Sequence, residues 1–103
     1  MKHFRLEPIA QREFEEGTAW YESQEPGLGF EFNAEIDLVL MRIAQQETFV
    51  TAPIATLPGG VVRREFVDRF PYVVVFVETQ DLRKVIMIRR GSSSPARWKS
   101  RVQ

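Results

Sequence analysis

Residues 72–77 read Tyr-Val-Val-Val-Phe-Val, an unbroken β-branched and aromatic run. A strand without a polar face needs cover on both sides, so the run predicts the central strand of a sheet. The rest of the chain, 103 residues in all, must supply that cover. Such a length suits one domain, 1–103, burying roughly 60–70% of its unfolded surface.

The flanking segments read as elements that could do so. His3 to Glu7 alternates, with Phe4 and Leu6 on one face, as in a short half-buried strand. Pro8 suits the first turn of a helix, where its missing N–H costs nothing. Ala10, Phe14, Gly17 and Tyr21 then fall on one helical face. Trp20 is expected where the helices meet the sheet. Pro26-Gly27 stops this helix, and a second helix is expected from about Leu28 to Gln45. The two form an αα-hairpin. Glu47 to Gly60, with Pro53, Pro58 and Gly59-Gly60, reads as a loop. Strands are expected at 61–67, 72–77 and 84–89, with turns at Arg69-Phe70-Pro71 and Thr79 to Leu82. The order is β-α-α-β-β-β, an α+β fold.

The second helix carries more apolar surface than a small sheet requires. Leu28, Phe32, Ile36, Val39 and Ile43 make a core stripe, and Phe30, Ala34, Leu38 and Met41 flank it. The flanking line is either wider core packing or a docking face for a partner segment.

The overall charge of zero hides a division. In residues 1–52 four bases stand against ten acids, a net of −6; in residues 53–103 ten bases stand against four acids, a net of +6. A basic half attracts an anionic partner, nucleic acid or acidic protein, unless the two halves neutralise each other within the fold.

Several chemistries are excluded. Without cysteine there is no disulfide and no thiolate metal site, which suits the cytoplasm. The only histidine, His3, reads as an ordinary exposed or edge residue. Gly27 and Gly29 follow a helix and read as turn glycines, not a phosphate loop. The helix acids read as solvated faces. No metal site, cofactor, secretory signal or membrane span is expected.

Arg63, Arg64, Arg69, Arg89, Arg90, Arg97, Lys99 and Arg101 are expected to lie near one another in a three-stranded meander. Arginine favours bidentate contact with phosphate or carboxylate. Trp98, between Arg97 and Lys99, either stacks on a ligand or folds back to cap the core. RNA cleavage would also require a general acid and base. The residues near the cations, Tyr72, Glu65, Asp68 and Lys99, are not proton carriers at neutral pH without large shifts.

The chain resembles the RelE/ParE superfamily of toxins from bacterial type II toxin–antitoxin modules. The resemblance rests on Trp20-Tyr21-Glu22 with Pro26-Gly27-Leu28-Gly29 and Phe32, on Val62-Arg63-Arg64, on Arg69-Phe70-Pro71-Tyr72 before the β run, and on Pro95 with Trp98. It implies a helix hairpin on a mainly antiparallel, twisted sheet. It implies a cytoplasmic toxin neutralised by a cognate antitoxin, with operator DNA bound only through that antitoxin. The helix hairpin looks closer to the ParE side and to plasmid-stabilisation proteins, which implies growth inhibition through DNA gyrase. In that reading Arg63, Arg64, Arg69, Arg89, Arg90 and Trp98 contact the target, no residue is catalytic, and Phe30, Ala34, Leu38 and Met41 hold the antitoxin. The alternatives are a ribosome-dependent mRNA endoribonuclease using Arg64, Arg90, Tyr72 and Glu65, or an inactive relative that only binds antitoxin. Many relatives carry a His where this chain reads Ile86-Met87-Ile88-Arg89-Arg90-Gly91, and Ser92-Ser93-Ser94 precedes Pro95 where relatives are commonly basic. Both departures weaken the nuclease reading.

Overall fold

A computed structural model describes residues 2–91 and 96–102. Ser92, Ser93, Ser94 and Pro95 lie outside the described residues. The elements are β1 (His3–Leu6), α1 (Pro8–Gln24), α2 (Leu28–Gln45), β2 (Ala55–Leu57), β3 (Gly60–Phe66), β4 (Tyr72–Thr79), β5 (Leu82–Arg90) and a helical turn, α3 (Ala96–Lys99). The sheet runs β1-β5-β4-β3-β2, so β4 is the middle strand of five. All neighbours are antiparallel except β1 and β5.

Both faces of β4 are covered. Val74 and Phe76 pack with Phe14, Tyr21, Phe32 and Ile36 beneath the helices. Val73, Val75 and Val77 join Val62, Ile86, Met87 and Trp98 on the opposite face. Ile86 is an extra residue in β5, since Val75 pairs with Met87 and Phe76 with Val85. Such a bulge bends the strand locally.

The helix hairpin is held by one carboxylate. Glu22 accepts hydrogen bonds from the Gly27 and Gly29 N–H groups, both at 3.0 Å. A negative group there also suits the positive end of α2. Gly27 has φ 89°, a left-handed backbone that favours glycine. A Cβ at Gly29 would sit 2.7 Å from the Thr18 carbonyl oxygen, so the helices cross only because it has none.

The structure corrects two expectations. Residues 47–60 are not all loop: Ala55–Leu57 pairs with Val62, Val61 and Gly60 of β3. Two flanking prolines and a length of three residues hid this edge strand, because Pro withdraws ladder donors. Trp20 does not pack under the hairpin; it is 48% exposed. The inward face of α1 belongs to Ala10, Phe14, Gly17 and Tyr21, and Trp20, one residue before Tyr21, is turned about 100° away.

Candidate functional site

The basic residues do not form one cluster, contrary to the expectation from the meander. They sort into three environments, because strand register sends neighbours to opposite faces.

The first is structural. Arg83 is 3% exposed. It donates to Glu78 Oε2 at 2.8 Å, to the Ile43 carbonyl at 2.9 Å and the Glu47 carbonyl at 2.8 Å, and also to the Gln46 carbonyl. Its guanidinium lies 4.8 Å from the Phe49 ring centre. Arg83 therefore ties off the C-terminus of α2, whose last carbonyls have no partner in the helix. Arg63 donates to Glu78 Oε1 at 2.7 Å and the Thr51 carbonyl at 2.8 Å, and Lys2 approaches Glu78 at 3.2 Å. Burial opposes ionisation of Glu78, but hydrogen bonds from Arg63, Arg83 and Lys2 overcome it and hold its pKa down to about 2.

The second environment pins α2 to the strands. Arg69 bonds Glu31 at 2.5 Å and Glu35 at 3.5 Å, and the Glu31 bond raises its pKa. Arg42 of α2 bonds Glu65 of β3 at 3.0 Å. Among the described residues, five of nine ion pairs join an acid of the first half (Glu7, Glu13, Glu31 or Glu35) to a base of the second. Part of the charge division is therefore spent inside the fold.

The third is a groove of about 930 Å³ at the far end of β5. β1 pairs only with residues 82–85, which leaves the outer edge of β5 bare beyond them. Glu13 of α1 accepts the Ile88 N–H at 3.0 Å, and Arg101 donates to the Ile86 carbonyl at 2.9 Å. Glu13 and Arg101 also bond each other at 2.8 and 3.1 Å, and Arg89 stands 3.6 Å from Glu13. The groove opens around this plug. Its walls carry Arg12, Arg89, Arg90, Arg97 and Arg101 against Glu13 and Glu16, with Trp20 and Tyr72 among the apolar lining. Arg12, Arg90 and Arg97 have no carboxylate partner among the described residues. Arg90 lies over Trp20, 5.4 Å from the ring centre. Gly17 gives Tyr72 its room: a Cβ there would stand 3.2 Å from the Tyr72 hydroxyl and 2.9 Å from Phe32. Burial raises the Tyr72 pKa, with Tyr21 adding to it and Arg90 and Arg89 opposing.

The residues expected at a target surface are thus dispersed. Arg89 and Arg90 meet in the groove. Arg63 and Arg69 are held in ion pairs. Arg64 is exposed on β3, its guanidinium 5.0 Å from the Phe66 ring centre. Trp98 is 7% exposed and packs on the valine face of β4, so it caps the core instead of presenting its ring. Of the four residues named for nuclease chemistry, Tyr72 and Arg90 are cross-strand partners lining the groove. Glu65 is bonded to Arg42, and Arg64 stands apart from both. Sequence reasoning missed Glu13 as the organiser of the groove. Its only sequence signal is a carboxylate beside the core-facing Phe14, which is weak.

The residues expected to bind an antitoxin are all accessible. Phe30 is 79% exposed, Leu38 58% and Met41 53%, and Ala34 is exposed with them. Phe30 and Ala34 border a second groove, of about 590 Å³, between α1 and α2. It is mainly apolar at its base, with Phe14, Ala19 and Gly29, and acidic at its rim, with Glu15, Glu22 and Asp37.

No protein-family model and no curated protein matches the sequence. The fold does have a solved counterpart. A chain described as "Chromosomal ParDE TA system from P. aeruginosa" superposes with a TM-score of 0.72, covering 87% of this chain and 96% of that one at 16% identity. The architecture is that of the RelE/ParE-like fold: two helices packed on a mixed, mainly antiparallel five-stranded sheet.

Proposed function

We propose that this chain is the toxin of a type II toxin–antitoxin module, held inactive by a cognate antitoxin laid across α2. The observation that carries the reading is the exposed line Phe30, Ala34, Leu38 and Met41 beside the interhelical groove. A row of large apolar side chains exposed along one helix face is the kind of surface that docks a partner. The described likeness to a chain of a ParDE system supports it. An amphipathic partner helix would set its apolar side into the groove. Co-expression with the neighbouring reading frame tests this. Leu38→Glu with Met41→Glu should abolish co-purification while the toxin stays folded; retained co-purification would rule out this face.

We favour DNA gyrase as the target, inhibited by binding, as the likeness of the helix hairpin to the ParE side implies. Of Tyr72, Glu65, Asp68 and Lys99 only Tyr72 stands with the groove arginines, and burial moves its pKa away from neutrality, while the groove carboxylate Glu13 is engaged by Arg101 and the Ile88 N–H. Binding needs no such group, and exposed arginine is a frequent interface anchor. Arg64, Arg89 and Arg90 are the proposed contacts. Expression should induce DNA damage before translation falls, and purified protein should inhibit supercoiling. Ribosome-bound mRNA cut within codons, with supercoiling untouched, would transfer the assignment to the endoribonuclease reading.

A further inference from the structure

We propose that the groove between α1, the end of β5 and α3 is a binding site for a nucleoside phosphate, with the phosphates on Arg12, Arg90 and Arg97 and the base against Trp20. The site goes beyond the toxin reading and does not depend on it.

Five arginines and two glutamates line the groove, a net of +3. Glu13, Arg101 and Arg89 are engaged with one another and with the bare edge of β5. They form a fixed floor. The charge left over belongs to Arg12, Arg90 and Arg97, drawn from α1, β5 and α3. Three guanidinium groups from separate elements converge on one cavity, each a fork suited to bidentate contact with phosphate oxygens. A terminal phosphate carries about −1.5 to −2 at neutral pH, so a di- or triphosphate roughly balances the excess. The volume lies within the range of small-ligand sites, ~300–1,000 Å³.

The aromatic wall separates a nucleotide from a bare anion. Trp20 is half exposed, yet it is not loose. Arg90 lies over it, and Tyr21 meets it edge-on with ring centres 4.9 Å apart. A large indole packed beside arginines and left half open offers a stacking surface for a base. The rest of the apolar lining, Ile9, Gly17 and Ile88, needs no polar partner. An acidic peptide could satisfy the arginines but would make no specific use of Trp20.

The test is titration of the whole chain with ADP, ATP, inorganic pyrophosphate, short single-stranded oligonucleotides and a glutamate-rich peptide, followed by calorimetry and Trp20 fluorescence. Trp98 is buried, so quenching by a bound base reports Trp20. Nucleoside phosphates should bind more tightly than pyrophosphate and quench. Arg90→Ala and Arg97→Ala should each weaken binding about tenfold or more, Arg90→Lys should restore only part of it, and Trp20→Phe should remove the quench. Arg5→Ala, the same loss of charge on exposed β1, should change affinity less than twofold. Tighter binding of an oligonucleotide than of ADP would assign the phosphates to a strand; the reverse would assign a free nucleotide. No binding at millimolar nucleotide by folded protein would overturn the proposal. So would equal binding of the glutamate-rich peptide, or equal loss in Arg5→Ala and Arg90→Ala.

Discussion

Arg83 and Arg90 are the same residue type at opposite ends of one strand, and they do opposite work. Arg83 is buried and bonded at every guanidinium nitrogen, its donors shared between Glu78, the Ile43 carbonyl in the last turn of α2 and the Gln46 and Glu47 carbonyls just beyond it. Arg90 has no carboxylate partner among the described residues, lies on an exposed indole and lines an open groove. The first stabilises the fold, and the second leaves its charge available to a ligand. Counting bases in a sequence merges the two. Bonding separates them.

The largest effect is expected at the buried end of β5. Arg83→Ala leaves the α2 carbonyls unsatisfied and strips one partner from a buried carboxylate, which should cost ~3–5 kcal/mol in chemical denaturation. Phe76→Ala, an apolar truncation at a fully buried site on the neighbouring strand, should cost ~3–5 kcal/mol as well. If Arg83→Ala costs less than about 1 kcal/mol, Arg83 is no more structural than Arg90. Gly17→Ala is the intermediate case. Its Cβ meets the buried Phe32 ring, and overpacking of ~1–3 kcal/mol is partly offset by about 1 kcal/mol of helix propensity. A net loss of ~0–2 kcal/mol is expected in thermal unfolding.

Acid sharpens the contrast. The Glu78 pKa is lowered by folding from its ordinary 4.5 to about 2. Its contribution is therefore fully present above pH 4.5 and is lost as pH falls towards 2. Glu78→Gln should flatten that part of a stability–pH profile; an unchanged profile would show that Glu78 is not what holds Arg83 and Arg63. The smallest effect belongs to Arg90→Ala, which should leave stability within about 0.5 kcal/mol of the parent. A larger loss would show that its stacking on Trp20 is structural.

The central strand, the helix hairpin and its Pro-Gly turn were legible because each is written in local pattern. The valine run leaves no polar face, and the spacing of Ala10, Phe14, Gly17 and Tyr21 admits one helical register. The exposed line on α2 was legible for the same reason: two apolar stripes exceed what one face can bury. The groove was not. Glu13 and Arg101 stand 88 positions apart and meet only because β1 is too short to pair with all of β5. Trp98 illustrates a different limit. A tryptophan flanked by bases can face out or in, and it faces in here because the valines of β4 demanded cover. The two halves of opposite charge suggested a partner, yet part of that complementarity is satisfied within the chain, between Glu7, Glu13, Glu31 and Glu35 and four bases of the second half.

The Glu13–Arg101 plug has a consequence for behaviour at high concentration. A bare strand edge of several residues is a template on which further copies can polymerise. Here the amide of Ile88 and the carbonyl of Ile86 are already occupied by side chains, so the outer edge of β5 offers no continuous ladder. At the other margin of the sheet, β2 is three residues long, with Pro53 and Pro58 close to its ends. Charged side chains guard one border and imino acids the other. A chain so rich in valine at its centre is thereby shielded at both borders, and Glu13→Ala, which bares the Ile88 amide, should shorten its shelf life in solution.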